Sequence, residues 1–157
     1  MQKPKVPMTT IPKKQFIKEH YGYDSYAQYR NAPDEVRNRI EGEWIRYLRK
    51  NDPFWVEEYD QYIIDLRTYY VMKDEPLYMG VKKRTGLVLG CMHDDRRVLL
   101  MTKDALKSIG RHPEIYWIPV QNPLTVEDEF EFVEMENEHG DKLLYLKSMM
   151  KGMVNDD

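Results

Sequence analysis

The sequence predicts an α+β fold in which N-terminal helices pack on a mainly antiparallel sheet. Between residues 34 and 70, apolar side chains recur at the spacing of amphipathic helices. After Tyr70 the pattern changes to short apolar runs separated by turn sequences, which is typical of strands. With 157 residues, of which 41% are hydrophobic and 32% charged, the chain has the composition of a globular protein with a buried core.

The first twelve residues differ from the rest because they contain three prolines with basic residues between them. Proline fixes φ and removes a backbone donor, so residues 1–12 are expected to form an extended Pro/Lys-rich arm. Such an arm is either a disordered terminus or a strap docked on a partner. We expect residues 13–150 to form a single α+β domain and residues 151–157 a flexible tail.

The helical half is expected to begin with a short helix over residues 13–20, ended by Gly22 in the left-handed conformation. A second short turn follows, with Asp24 as its N-cap. The main element is an αα-hairpin at about 34–70, made of two amphipathic helices with a very short link. Asp52 is the expected cap of the second of these helices, because a proline follows it at the first helical position.

The sheet half is expected to contain one short helix, 103–109, and two groups of strands. The first three strands form a meander, and the last two form a closing hairpin whose turn is at 138–141. Pro119 disfavours a central position in the sheet. Residues 141–150 keep helical as well as strand spacing, so a helix there stays open. The expected strands lie at about 77–82, 87–92, 97–101, 115–120, 130–136 and 143–146.

Whole-chain properties restrict the function classes. One cysteine excludes an internal disulfide, and no apolar run resembles a signal peptide or a membrane span, so an intracellular, cytoplasmic protein without a membrane partner is expected. The net charge of −3 and the pI near 5.9 disfavour a nucleic-acid partner, since nucleic-acid-binding domains are strongly basic. Charge nevertheless runs from +5 in residues 1–50 to −8 in residues 114–157.

One group of residues has the types that bind zinc. Cys91 and His93 point the same way if residues 87–92 form a strand, and His112 adds a third ligand. A structural zinc site usually needs four ligands, and the chain has no second Cys/His pair. The alternative is a buried free cysteine beside a polar turn, so we expect neither a metal nor another cofactor.

Carboxylates near a lysine are the residue types of a metal-dependent nuclease. Asp94, Asp95 and Glu131, with Lys103, supply these types without a specific spacing. The alternative is a solvated acidic surface.

A basic patch is expected where two hairpin turns come together. Lys82, Lys83 and Arg84 occupy the first turn, and Arg96 and Arg97 follow the second. Such a patch binds phosphates or an acidic protein, or it simply prevents edge-to-edge aggregation of the hairpins.

The order of two helices, a meander, a short helix, a strand and a closing hairpin resembles the GNAT acyltransferase fold. The segment Leu87–Gly110 also resembles the shortened, non-catalytic GNAT-like internal virion proteins of some bacteriophages. After the strand ending at Met101, the family pattern is Arg/Gln-x-x-Gly-x-Gly/Ala, which cradles the pyrophosphate of the acyl donor. This chain has Thr102-Lys103-Asp104-Ala105-Leu106-Lys107 there, so the resemblance implies no catalytic residue.

The leading hypothesis from the sequence is a non-enzymatic interaction or structural protein, such as a viral or phage accessory component, that binds a protein partner or itself. Twelve tyrosines and ten methionines favour it, because aromatic residues and methionine are enriched at interfaces. The alternatives are an enzyme, either a metal-dependent nuclease or a degenerate GNAT-like acyltransferase, and an inhibitor whose acidic C-terminal third mimics nucleic acid.

Overall fold

A computed structural model describes the backbone of residues 2–91 and 94–150, and their side chains apart from those of residues 91 and 94–96. About 48% of the chain is helix and 20% is strand, which confirms the α+β fold with N-terminal helices. Within these described residues, every helix is too short or too polar to cross a membrane. The expected tail at 151–157 lies outside them.

The chain divides into two compact units. We call Lys5–Tyr62 the helical unit, and Ile63–Asp157 together with Met1–Pro4 the sheet unit. Each has its own cluster of buried apolar residues. The single domain expected over 13–150 stays a prediction, which unfolding measurements test.

The helical unit begins with two short helices, α1 (Lys13–Tyr21) and α2 (Tyr26–Arg30). Gly22 ends α1 with φ 73°, as predicted. The N-cap of α2 was wrong by one residue: the Ser25 hydroxyl, not Asp24, accepts the Gln28 backbone N–H.

The two long helices of the expected αα-hairpin are α3 (Asp34–Asn51) and α4 (Pro53–Met72), and only Asp52 separates them. The Asp52 carboxylate accepts the Trp55 N–H at 3.4 Å, which confirms its role as a cap. Trp55, at the start of α4, joins the buried cluster formed by the first three helices. That cluster contains Phe16, Ile17, Tyr29, Ile40, Trp44, Ile45, Leu48 and Trp55.

The proline-containing arm is fastened to this same helix junction. The Trp55 indole N–H donates to the Pro7 carbonyl at 3.0 Å, and the Thr10 N–H donates to the Asp52 carboxylate at 2.9 Å. The backbone hydrogen bond from Thr10 is the main reason why the pKa of Asp52 lies below its usual value. The arm therefore binds its own chain.

The sheet unit is built around β1 (Leu77–Lys82). On one side, residues 78–82 of β1 pair antiparallel with β5. On the other side, residues 77–79, the first half of β1, pair antiparallel with β4. The short helix α5 follows β4, and the short helix α6 precedes β6. The remaining bounds are β2 (Gly90–Cys91), β3 (Asp94–Val98), β4 (Leu100–Thr102), α5 (Lys103–Ile109), β5 (Ile115–Pro119), α6 (Val126–Glu129), β6 (Phe132–Glu136) and β7 (Lys142–Leu146).

The segment 86–89 joins the strand pairs side by side. The Leu89 N–H donates to the Gly80 carbonyl of β1, and the Val88 N–H donates to the Leu144 carbonyl of β7, both at 2.9 Å. The order across the unit is therefore β5, β1, then β4 and segment 86–89 beside the two halves of β1, then β7 and β6. Pro119 lies in an edge strand, as predicted.

Several strand bounds differ from expectation for local reasons. Of the expected strand 87–92, residue 92 lies outside the described residues. Within 87–91 only β2 is regular, because residues 87 and 88 form isolated bridges to two different strands. The expected strand 97–101 divides at Leu99, whose N–H turns to the Leu89 carbonyl. Residues 130–136 form a strand only from Phe132, and residues 142–146 form a strand rather than a helix.

One face of this sheet forms the core of the unit. Residues directly opposite each other in antiparallel strands share a face, so Met79 lies on the same side as Leu100 and Ile118. The buried members of this inner face and its cover are Met79, Val81, Val88, Val98, Val126 and Leu146.

Candidate functional site

The opposite face of the sheet is apolar as well, and we call it the outer sheet face. Tyr78 lies opposite Met101 and Pro119, and Leu87 lies opposite Tyr145. The pairings carry this face across all five positions of the sheet. Its side chains are Tyr78, Lys82, Leu87, Leu89, Met101, Ile115, Trp117, Pro119, Val133, Met135, Leu143 and Tyr145.

All twelve of these side chains keep at least partial exposure, up to 41% for Met135 among the large apolar ones. Lys82 is the only charged residue among them. An antiparallel sheet that covers a core on one side normally alternates apolar with polar residues and presents the polar ones to water. This face instead has the uncharged, aromatic-rich and methionine-containing composition of an interface core.

Gly80 allows close packing in the middle of the outer sheet face. A Cβ atom added there would lie 2.7 Å from Cζ3 of Trp117 and 2.9 Å from Cδ1 of Leu89. Real Cβ atoms do not approach heavy atoms so closely. The absence of a side chain at Gly80 therefore allows the Trp117 ring to lie over the β1 backbone.

A buried ion pair fixes α4 within the sheet unit. Arg67 is 4% exposed, and its guanidinium donates to both oxygens of Glu127 at 2.9 Å. The same guanidinium donates to the Val98 carbonyl at 2.6 Å and the Pro123 carbonyl at 3.3 Å. One side chain thereby connects α4 to β3 and to the turn before α6.

The charged state of Glu127 is stabilised in place. Burial alone would raise the pKa of Glu127, but the hydrogen bonds from Arg67 and from the Val98 N–H, together with the Arg67 charge, hold the pKa below its usual value. A carboxylate held ionised by three hydrogen bonds serves the structure and is poorly suited to accept a proton in catalysis.

The charges around the sheet are unequally divided between its two ends. Among the described side chains of β1, β4, β5, β6, β7 and segment 86–89, the basic end contains four cations and two carboxylates, and the acidic end contains five carboxylates and two cations. This count takes the residue at each strand end and the two residues beyond it, and it leaves out the β2–β3 hairpin. The basic end is Lys82, Lys83, Arg84 and Lys147 with Glu114 and Glu131. The acidic end is Glu75, Asp104, Glu136, Glu138 and Asp141 with Lys103 and Lys142.

Comparisons with protein-family models, curated proteins and solved structures found no match.

The structure places the expected basic patch only in part. Lys82, Lys83 and Arg84 are exposed at the turn after β1 and form part of the basic end. Arg97 lies in β3 and is partly buried, and the side chain of Arg96 lies outside the described residues.

Among the expected zinc ligands only His112 has a described side chain, so the zinc site stays a hypothesis. The described residues contain no group of three His, Cys, Asp or Glu side chains fit to hold a metal ion. His112 is exposed, with Nδ1 3.9 Å from Oε1 of the neighbouring Glu114. His93 and the Cys91 side chain lie outside the described residues.

Only two of the four expected nuclease residues, Lys103 and Glu131, have described side chains, so the nuclease site stays a hypothesis. Lys103 is an exposed residue at the start of α5, and Glu131 forms an exposed ion pair with Lys147 at 3.0 Å. The side chains of Asp94 and Asp95 lie outside the described residues.

The helical unit has an open cavity of about 500 Å³ beside α1 and α3. Phe16 and His20 stack in its wall with ring centroids 4.2 Å apart, and Tyr47 meets the His20 ring edge-on. Its lining includes one carboxylate, Glu43, and two cations, Arg46 and Lys50, so charges of both signs face the cavity.

Sequence reasoning missed both Arg67 and the outer sheet face. The sequence did contain a signal for the face: the runs at 77–81, 87–89, 115–119 and 143–146 are continuously apolar rather than alternating. A continuous run predicts that both faces of a strand meet apolar surroundings. For Arg67 no local pattern exists, because its partners are 31 to 60 residues away.

Proposed function

We propose that this protein is a non-enzymatic interaction protein that binds a protein surface through the outer sheet face. The observation that carries the proposal is a set of eleven uncharged side chains, with one lysine, on a partly exposed face opposite the core. Extended exposed apolar patches in water-soluble proteins mark interaction surfaces. An intracellular location, which the sequence favours, belongs to the same proposal.

The physical basis is that this face costs free energy while it contacts water. Each square ångström of apolar surface removed from water contributes about 25 cal/mol. Trp117, Tyr78 and Tyr145 are rigid aromatic residues of the kind that dominate binding energy in interfaces. The charged groups lie at the two ends of the sheet, where they orient a partner rather than oppose its approach.

Two of the described carboxylates have a shifted pKa, and their roles support the same proposal. Asp52 caps α4 and holds the arm, and Glu127 pairs with Arg67. Both pKa values are lowered by hydrogen bonds that hold the fold together. Neither carboxylate is poised as a general acid or base at neutral pH.

The test is a mass measurement in solution of the protein alone and with purified candidate partner proteins. Met135→Lys places a charge on the outer sheet face, and Tyr116→Lys is a matched control on the other face of β5, where Tyr116 is 53% exposed. We expect association that Met135→Lys abolishes and Tyr116→Lys preserves. A strict monomer that binds no protein, or equal effects of both substitutions, contradicts the proposal.

A further inference from the structure

We infer that the partner of the outer sheet face is a second copy of this chain, packed face to face with its strands antiparallel to the first. This inference rests on the proposed function. It concerns which surface covers the face, and three observations on the sheet unit carry it.

The first observation is the lack of charge on the face. Two identical faces repel each other wherever a charged side chain meets its own copy, and Lys82 is the only such group here, at one margin of the sheet. The rest of the face is self-compatible. A two-fold axis through the middle of the face makes each contact occur twice, as in the commonest class of homodimer.

The second observation is the distribution of charge at the two ends. The two-fold axis of a face-to-face pair lies in the plane between the two sheets. If it is perpendicular to the strands, the basic end of one copy lies against the acidic end of the other. If the axis runs along the strands, basic ends meet basic ends. Because opposite charges attract and like charges repel across an interface, only the antiparallel arrangement is complementary, and it is complementary twice.

The third observation is size. Five strand positions at a spacing of about 4.8 Å, each about five residues long at about 3.4 Å per residue, give a planar face of about 400 Å². Two faces give about 800 Å² before the relief of the side chains is added, which is the size of a weak, reversible interface below about 1,200 Å². Sheets stack about 10 Å apart, so flat faces with interdigitating side chains suit this packing.

The test is a charge exchange followed by sedimentation equilibrium. One variant carries Lys83→Glu and Arg84→Glu at the basic end, and the other carries Glu75→Lys and Glu136→Lys at the acidic end; the first pair is exposed in the single chain, as is Glu136. In either variant alone, ends of like charge meet twice, so we expect the wild-type dimer to weaken at least about tenfold. An equimolar mixture of the two variants restores opposite charges at both contacts, and we expect a heterodimer of about wild-type affinity.

Recovery of affinity in the mixture, and not in either variant alone, supports the inference. A wild-type protein that stays monomeric at about 0.2 mM, well above the Kd of a functional dimer, overturns it. If such a monomer still binds a different protein and loses that binding in Met135→Lys, the proposed function stands and the second copy is the wrong partner. If a dimer forms and survives Met135→Lys, both proposals fail.

Discussion

The buried pair of Arg67 and Glu127 gives the sharpest prediction about stability. Arg67→Met keeps a long apolar side chain but removes the guanidinium that makes four hydrogen bonds. The Glu127 carboxylate, whose side chain is only 25% exposed, is then left with the Val98 N–H at 2.8 Å as its remaining described donor. Two backbone carbonyls also lose this donor.

The expected cost follows from these contacts. Removing one partner of a buried ion pair typically destabilises a protein by about 3–5 kcal/mol, because the other charge stays in a poorly solvated place. That is a large part of the roughly 5–15 kcal/mol that holds a domain folded. In the double variant Arg67→Met with Glu127→Leu, neither charge of the pair remains. The double variant should therefore lose less stability than Arg67→Met alone.

Native-state hydrogen exchange in increasing urea measures the free energy of unfolding of each unit separately. Amides of β1 and β7 report on the sheet unit, and amides of α1 and α3 are an internal control from the helical unit. Arg84→Met, which removes an exposed arginine, should change stability by no more than about 0.5 kcal/mol. A loss below about 1 kcal/mol in Arg67→Met, or a double variant less stable than the single one, refutes the reasoning.

Three further outcomes are expected. The pKa of Glu127 is lower in the folded state than in the unfolded state, so the unfolded chain binds the proton at a higher pH. The free energy of unfolding should therefore fall as the pH drops through about 4.3, and Glu127→Gln should make that fall smaller in urea titrations. Asp52→Ala should cost about 0.5–2 kcal/mol and speed tryptic cleavage after Lys5, whereas Asp24→Ala, beside the true cap Ser25, should do neither. Gly80→Ala should displace Trp117, shift its fluorescence to the red and cost about 1–3 kcal/mol in thermal unfolding.

Local signals in the sequence were sufficient for most elements of the fold. Gly22 ends α1 and Asp52 caps α4 because backbone geometry and a short side chain decide such positions without distant contacts. Short apolar runs divided by turns gave β1 and the closing hairpin for the same reason. The cap at Ser25 was missed because Asp24 and Ser25 are both good caps, and only tertiary placement chooses between them.

Strand pairing could not be obtained in the same way. The expected meander pairs each strand with the next, whereas β4 reaches past segment 86–89 to the first half of β1. The expected strand 97–101 is divided at Leu99, whose N–H donates to the Leu89 carbonyl. Such a division depends on which neighbours are free at each point of the sheet, and no short stretch of sequence contains that information.

The candidate site shows the same limit. The sequence suggested His112 as a zinc ligand and Glu131 as a nuclease carboxylate. In the structure both side chains are exposed, and neither belongs to a metal-binding group among the described side chains. The outer sheet face contains no chemically distinctive residue. It becomes visible only when the register shows that apolar positions from five strand segments share one side.

The charge asymmetry also has a different meaning in three dimensions. Along the chain the charge runs from basic to acidic, yet the helical unit has ten basic and ten acidic residues, because the carboxylates at 52–60 offset the earlier cations. The asymmetry that bears on binding is the one between the two ends of the sheet. It arises because turns distant in sequence meet at the same end.

Hydroxyl-radical footprinting of the associated protein reports burial of individual side chains, so it shows whether the outer sheet face makes the contact. On association, labelling of Met135, Trp117 and Tyr145 should fall, whereas labelling of Tyr116 on the inner face and of Leu124, which is 44% exposed, should stay unchanged. Protection of Tyr116 or Leu124 with full labelling of Met135 and Trp117 would show that another surface makes the contact, and would contradict the account.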